Sequence, residues 1–202
     1  VRPTFHLSHR PKLWSHLTFL PEESTDRSIL VTFKGAELLK KQPTSSRVRI
    51  KEGMVVAIPL PSGQLIGCLV SRKGRGRDGT NLIMGNFFDP RGGSVTDVLR
   101  GLKPNGLIAQ LKCADSKIVD GAWPLIGFLS DFDRSEWPMP VFGRVSPLNP
   151  ENTAWLVTQL DDRPDGRQAT APTSPQTANR YPHDGVFGVG AVVQLLQRLV
   201  EE

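Results

Sequence analysis

Residues 120–145 read DGAWPLIGFLSDFDRSEWPMPVFGRV, and this stretch organises the fold prediction for the whole chain. It contains two Trp-Pro pairs, which begin at Trp123 and Trp137, and each pair adjoins a short apolar run. A proline fixes its own φ and pushes the residue before it towards an extended backbone. We therefore expect two extended segments that are anchored by the tryptophans and bent around the polar residues 130–136.

Short apolar runs outside this stretch predict further β-strands. The candidates are 54–60, 65–72, 81–88, 106–113 and 153–160, with 117–119 as a shorter one. The first two runs are separated by the turn sequence PSGQ, which predicts a β-hairpin. Pro59 has no N–H to donate, so we expect it at a strand edge or at a bulge.

The two ends of the chain predict helices and an arm. Apolar residues near the C-terminus recur at i, i+3, i+4 and i+7, which predicts a closing amphipathic helix at 187–200. A short strand is expected at 28–33 and a short helix at 34–41, both within an N-terminal arm (1–46) that packs on the main domain (47–202). Residues 161–182 are rich in Pro, Thr and Asp and predict a long exposed loop. The expected fold is α+β, with a mainly antiparallel, curved or barrel-like sheet.

Composition limits the classes of function. The 202 residues carry a net charge of +5, which allows contact with nucleic acid or an acidic protein without requiring either. No apolar run reaches the roughly 18 residues of a membrane-spanning helix, so no membrane contact is expected. Cys68 and Cys113 lack CxxC spacing, so a structural zinc site is not expected. No other metal or cofactor is predicted. A reducing cytoplasm is the expected compartment.

The segment RKGRGRDG, residues 72–79, is the strongest charge feature. Arg72, Arg75 and Arg77 alternate with glycines that would let the backbone approach phosphates, so a nucleic-acid-binding loop is one alternative. The segment has no aromatic side chain to stack on bases, and its spacing is not that of a phosphate-binding loop. A solvated hairpin tip is the preferred interpretation.

A hydrolytic site around the acidic residues 131–136 and His183 is a further hypothesis. Paired carboxylates act as general acid and base only where burial separates their pKa values. His183 and Asp184 are adjacent, and neighbouring side chains on a strand point to opposite faces. No GxSxG motif supplies a nucleophile. We therefore expect no enzymatic activity.

The tryptophans and nearby charges predict a contact surface instead. Trp123 leads into the apolar run PLIGF and is expected in the core. Trp137 stands between polar and apolar residues, so it is either core or a partially exposed anchor, and Trp and Arg dominate interface hot spots. The candidate partner-binding residues are Trp137, Arg134, Glu136, Asp133, Arg72, Arg75 and Arg77.

The order of the motifs resembles a known family. EGMVVAIPLPSGQLIGCLVSR, NLIMGNFFDP, DGAWPLIGF and SEWPMPVFGRV follow one another, and DGVFGVGAVVQLL opens the closing helix. This arrangement is similar to the immunity protein 26 family of bacterial polymorphic toxin systems. The likeness covers residues 47–145 and 184–200. The N-terminal arm and the predicted loop at 161–182 depart from the family pattern.

The resemblance implies a cytoplasmic, non-enzymatic protein that binds and neutralises a cognate toxin, often a nuclease. It also implies fold-defining roles for a set of matching positions: Pro59, Asp89, Trp123, Trp137, Pro138 and Pro140. The basic net charge is unlike that of a nucleic-acid mimic, so inhibition by imitation of DNA is not expected. Toxin binding is therefore the leading hypothesis, and nucleic-acid binding by the Arg72–Arg77 loop is the alternative.

Overall fold

The computed structural model describes residues 48–76, 78–88, 102, 106–129 and 131–201. These residues form nine strands: β1 (Met54–Pro59), β2 (Leu65–Arg75), β3 (Asn81–Phe88), β4 (Leu107–Ala114), β5 (Leu125–Phe128), β6 (Phe142–Val145), β7 (Ala154–Gln159), β8 (Gln168–Thr173) and β9 (Val186–Phe187). The helices of the same residues are α1 (Ser116–Val119), α2 (Pro175–Ala178) and α3 (Val189–Glu201), with a 3-10 turn at Arg134–Glu136.

Six of the strands form one sheet in the order β5-β1-β2-β3-β4-β9. All its neighbouring pairs are antiparallel except β4 and β9. The α+β class, the mainly antiparallel sheet and the C-terminal helix are therefore confirmed. The sheet is open between β5 and β9 rather than closed, so it does not reach the barrel-like form that was considered.

The hairpin of β1 and β2 is built as the PSGQ turn predicts. The N–H of Leu60 donates to the carbonyl of Gln64 at 2.9 Å, and Gly63 adopts a positive φ of 84°. Pro59 pairs with Leu65 on one side, whereas β5 pairs only with residues 54–56 of β1. Pro59 therefore lies where the strand has a free edge, as its missing N–H requires.

Successive side chains of a strand point to opposite faces of the sheet, so apolar side chains form a core on each face. Met54, Val56 and Ile58 of β1 face a core closed by Val192 and Leu196 of α3. Trp123 lies in this core, which confirms its prediction. The other face carries a second cluster of buried side chains: Val55, Leu69, Phe88, Leu102, Leu129 and Trp137.

A three-stranded sheet, β6-β7-β8, packs against this second face of the larger sheet. Phe142 and Val157 of the small sheet contact Met84 of β3. The outer edge of β6 is held by Gly143, whose N–H donates to Pro182 at 2.8 Å and whose carbonyl accepts from Asp184 at 2.9 Å. The small sheet is thus fixed on its β6 side.

Two predictions for the C-terminal half need correction. Residues 161–182 were predicted as one long loop, but they contain β8 and α2. The helix α2 packs its backbone on Gly143, where a Cβ would overlap the carbonyl oxygen of Ala178. Residues 117–119 belong to α1 and not to a strand.

Several predictions fall on residues outside those described by the structure. They are the arm at 1–46 with its short strand and short helix, and the fold-defining role of Asp89. None of the helices in the described part of the chain has the length and apolar character needed to cross a bilayer.

Candidate functional site

Arg72 is the centre of the candidate site, although it was predicted to lie at an exposed hairpin tip. Its side chain is only 2% exposed. The pairing of β2 with β3 shifts by one residue between Val70 and Arg72, so Ser71 forms a bulge. Arg72 consequently pairs with Met84 and points towards the small sheet. The prediction that Arg72 lies at an exposed hairpin tip is therefore wrong.

The Arg72 guanidinium joins distant parts of the chain. Its Nε donates to the Asp162 carboxylate at 2.9 Å, and its Nη2 donates to the Arg134 carbonyl at 3.0 Å. Its Nη1 donates to the carbonyl of Ser71 at 2.7 Å. A planar guanidinium can serve several acceptors in this way, whereas a lysine ammonium is a point charge. Arg72 therefore fixes two loops to β2 at once.

We call the resulting region the three-loop surface. It consists of the end of β2 (72–75), the loop 131–136 and the turn 160–167. Arg134 extends the network, because it forms a two-pronged ion pair with Glu52 at 2.9 and 3.2 Å and lies 3.6 Å from Asp162. The candidate residues Asp133, Arg134, Glu136, Arg72 and Arg75 are thus brought to one region.

Trp137 anchors the loop 131–136 from beneath. It is 6% exposed and meets Phe88 edge to face, with ring centroids 5.8 Å apart. The structure confirms the burial of Trp137, so the alternative of a partially exposed side chain is wrong, whereas its role as a partner-binding residue stays a prediction. Two prolines beside it were predicted to define the fold, and that role stays a prediction: Pro138 is exposed and Pro140 is half-buried.

The loop 131–136, which leads directly into the buried Trp137, presents charged groups to solvent. Asp133, Arg134 and Glu136 are all exposed. Asp133 begins the 3-10 turn, and the Ser135 N–H that donates to it at 2.8 Å lowers the pKa of its carboxyl. This carboxylate is therefore charged at neutral pH and oriented by the backbone.

The turn 160–167 is ordered by its own ion pairs. Asp161 accepts from the Arg167 side chain at 2.9 Å and from its backbone N–H at 3.0 Å, and these bonds lower the pKa of Asp161. Asp165 pairs with Arg163 at 2.8 Å and accepts from the backbone N–H of Arg75 at 3.0 Å. The turn is therefore bound to the end of β2.

The nucleic-acid alternative loses one of its three arginines. Arg72 is buried and paired with Asp162, so it cannot reach a phosphate. Arg75 is exposed, and its Nε donates to the Gly79 carbonyl at 3.2 Å. Arg77 lies outside the residues described.

A second ion cluster lies inside the protein and was missed by the sequence analysis. The Asp184 side chain is 1% exposed and accepts from both Lys112 and Arg144. Burial alone would raise the pKa of Asp184, but the hydrogen bonds and charges of these two cations outweigh it and lower the pKa. Lys112 also lies 4.4 Å above the Phe142 ring. This cluster joins β4 to β6 and occupies the carboxylate that a His183–Asp184 site would need.

The opposite face of the large sheet carries a half-open cavity of about 640 Å³. Arg49, Lys73 and Asp115 contribute charged groups to its lining. Burial raises the pKa of Asp115, against a hydrogen bond from Asn81 that lowers it. Across the described ranges, no group of three or more His, Cys, Asp or Glu side chains could hold a metal ion.

Comparisons with known proteins identify the family. A family model described as immunity protein 26 matches residues 51–153, which is just over half of the 202 residues. The match spans β1 to β6, so it includes Arg72 and the loop 131–136 but not the turn 160–167. A search of curated proteins and a search of solved structures each found no match. Because the family match covers more than half of the chain, the chain belongs to the immunity protein 26 family.

Proposed function

We propose that this immunity protein neutralises a cognate bacterial toxin by direct contact through the three-loop surface. The family implies an immunity protein with a toxin as its partner. The observation that carries the choice of surface is the convergence of two loops and the end of β2 on the buried Arg72. Arg72, Arg134 and Asp162 are already held by ion pairs, so these side chains lose little conformational entropy on binding.

The loop 131–136 of this surface carries three acidic residues against one arginine, which favours a basic partner. Asp131, Asp133 and Glu136 are exposed, and within the described residues Asp131 and Glu136 have no side-chain partner. The arginines of the surface are instead bonded to carboxylates or backbone carbonyls. A protein that cleaves nucleic acid presents basic groups to the phosphates. We therefore propose a nuclease as the toxin, bound in the cytoplasm without any catalysis by the immunity protein.

A charge reversal tests the proposed surface. The cognate toxin is co-expressed with wild-type protein, with Glu136→Lys or with the control Glu151→Lys, which changes another exposed glutamate outside the three-loop surface. Like charges at an interface cost several kcal/mol, so Glu136→Lys should weaken toxin binding at least about tenfold and reduce cell survival. The control should protect cells as the wild type does.

The toxin's activity is measured in the same system. We expect the purified toxin to degrade DNA or RNA and wild-type immunity protein to stop the cleavage. Failure of the wild type to bind the toxin contradicts the proposed function. Binding that is unaffected by Glu136→Lys contradicts the proposed surface.

A further inference from the structure

The outer strand of the small sheet, β8, has a free edge. β7 pairs with β8 along all six of its residues, Gln168–Thr173. Within the described ranges no strand pairs with the opposite side of β8. The first five residues of β8 are exposed and Thr173 is half-exposed. An exposed strand edge offers N–H and C=O groups to an incoming strand.

The hydrogen-bonding phase identifies which groups point outwards. The N–H of Leu160 donates to the Arg167 carbonyl at 2.8 Å, which makes this couple a hydrogen-bonded pair. Such pairs alternate along antiparallel strands, so Ala169 and Ala171 bond to β7. The backbone groups of Gln168, Thr170 and Pro172 therefore point away from β7. The absence of an N–H in Pro172 agrees with this phase.

The free edge is short and has a defined end. Gln168 and Thr170 each offer an N–H and a C=O, while Pro172 offers a C=O alone. No charged residue occurs between 168 and 179, so neither Lys nor Glu protects this edge. Pro172 limits the edge to two donors.

We propose that the free edge of β8 receives an extended strand of the toxin by β-strand addition. This inference rests on the proposed function and specifies how the partner is held. β8 begins at Gln168, directly after the turn 160–167, so the edge is continuous with the three-loop surface. One partner can therefore contact the charged loops and pair with the strand.

A second copy of this chain fits the edge less well. A two-fold pairing of β8 with itself, centred on Ala169, uses only Gln168 and Thr170 of each copy. That contact is far smaller than the roughly 1,200 Å² of a stable interface. A toxin that also covers the three-loop surface has the additional area.

A matched pair of substitutions at Thr170 isolates the outward N–H. Thr170→Pro removes this donor and leaves the β7 pairing intact, because the Thr170–Val157 couple is not a hydrogen-bonded pair. Pro172 shows that a proline fits an outward position of this strand. We expect Thr170→Pro to weaken toxin binding at least about tenfold, equivalent to one lost hydrogen bond, and Thr170→Ala to weaken it less than about threefold.

Amide exchange on the wild-type protein provides an independent measurement should Thr170→Pro fail to fold. In the free protein the amides of Ala169 and Ala171 should be protected, and those of Gln168 and Thr170 should exchange quickly. The toxin complex should protect all four amides. Unchanged exchange at Gln168 and Thr170 in the complex overturns the inference.

The outcomes also separate this inference from the proposed function. If the wild type does not bind the toxin, the proposed function fails. If Glu136→Lys weakens binding and Thr170→Pro does not, only the strand addition fails. A dimer in sedimentation experiments that Thr170→Pro dissociates, with toxin affinity unchanged, assigns the edge to a second copy and also overturns the inference.

Discussion

Replacing Arg72 by methionine should cost about 3 kcal/mol of unfolding free energy. Methionine retains most of the apolar stem but leaves the carbonyls of Ser71 and Arg134 without a donor. A buried polar group without a partner costs about 1 kcal/mol or more. The Asp162 carboxylate is 47% exposed and regains water, so its loss adds about 1 kcal/mol at most.

Urea unfolding at neutral pH of wild type, Arg72→Met, Arg72→Lys and Asp162→Asn measures these contributions. Arg72→Lys should fall between wild type and Arg72→Met, because one ammonium cannot reach all three acceptors. Asp162→Asn removes the charge of this ion pair and should cost about 1 kcal/mol. It adds no backbone strain, because asparagine tolerates the positive φ of 48° at this position. An Arg72→Met protein within about 0.5 kcal/mol of wild type would refute the central role of Arg72.

Gly143→Ala should destabilise the fold by about 3 kcal/mol in urea unfolding, because its Cβ would overlap a backbone carbonyl of α2. In the control Gly190→Ala the added Cβ has no atom within 4 Å, so this substitution should stabilise α3 by about 0.5 kcal/mol. The pKa of Asp184 is lowered in the folded protein, so its ionised carboxylate stabilises the fold. This contribution to the unfolding free energy is complete above the ordinary aspartate pKa and is lost as the pH falls through the lowered pKa. The cost of Asp184→Asn should therefore shrink below about pH 4, and an equal cost at pH 7 and at low pH would contradict this. Burial raises the pKa of the Cys68 thiol, and it raises the pKa of the Cys113 thiol to about 12. Iodoacetamide at about pH 8 should therefore label neither thiol until the protein unfolds. Rapid labelling of the folded protein would argue against burial.

The strands β1 to β3 were predictable because local signals there agree. Apolar runs are separated by Pro, Gly and Ser, and Pro59 lies where a missing N–H has no consequence. Trp123 was likewise predictable from the apolar run that follows it. Such features depend on residues near each other in sequence.

The position of Arg72 was not predictable from its surroundings. In RKGRGRDG it resembles its exposed neighbours, and only the bulge at Ser71 turns it inwards. Its carboxylate partner, Asp162, is 90 residues away in sequence. β8 was missed for a different reason. An exposed edge strand buries little, so the sequence QATAPT lacks the alternating apolar pattern that predicts a strand.

Amide hydrogen exchange of the immunity protein, free and bound to its cognate toxin, tests the central claim most directly. The three-loop surface predicts stronger protection in the complex for 131–137 and 160–167, with α3 unchanged. Protection confined to α3 or to the cavity residues 115–120, with both loops unchanged, would contradict the account.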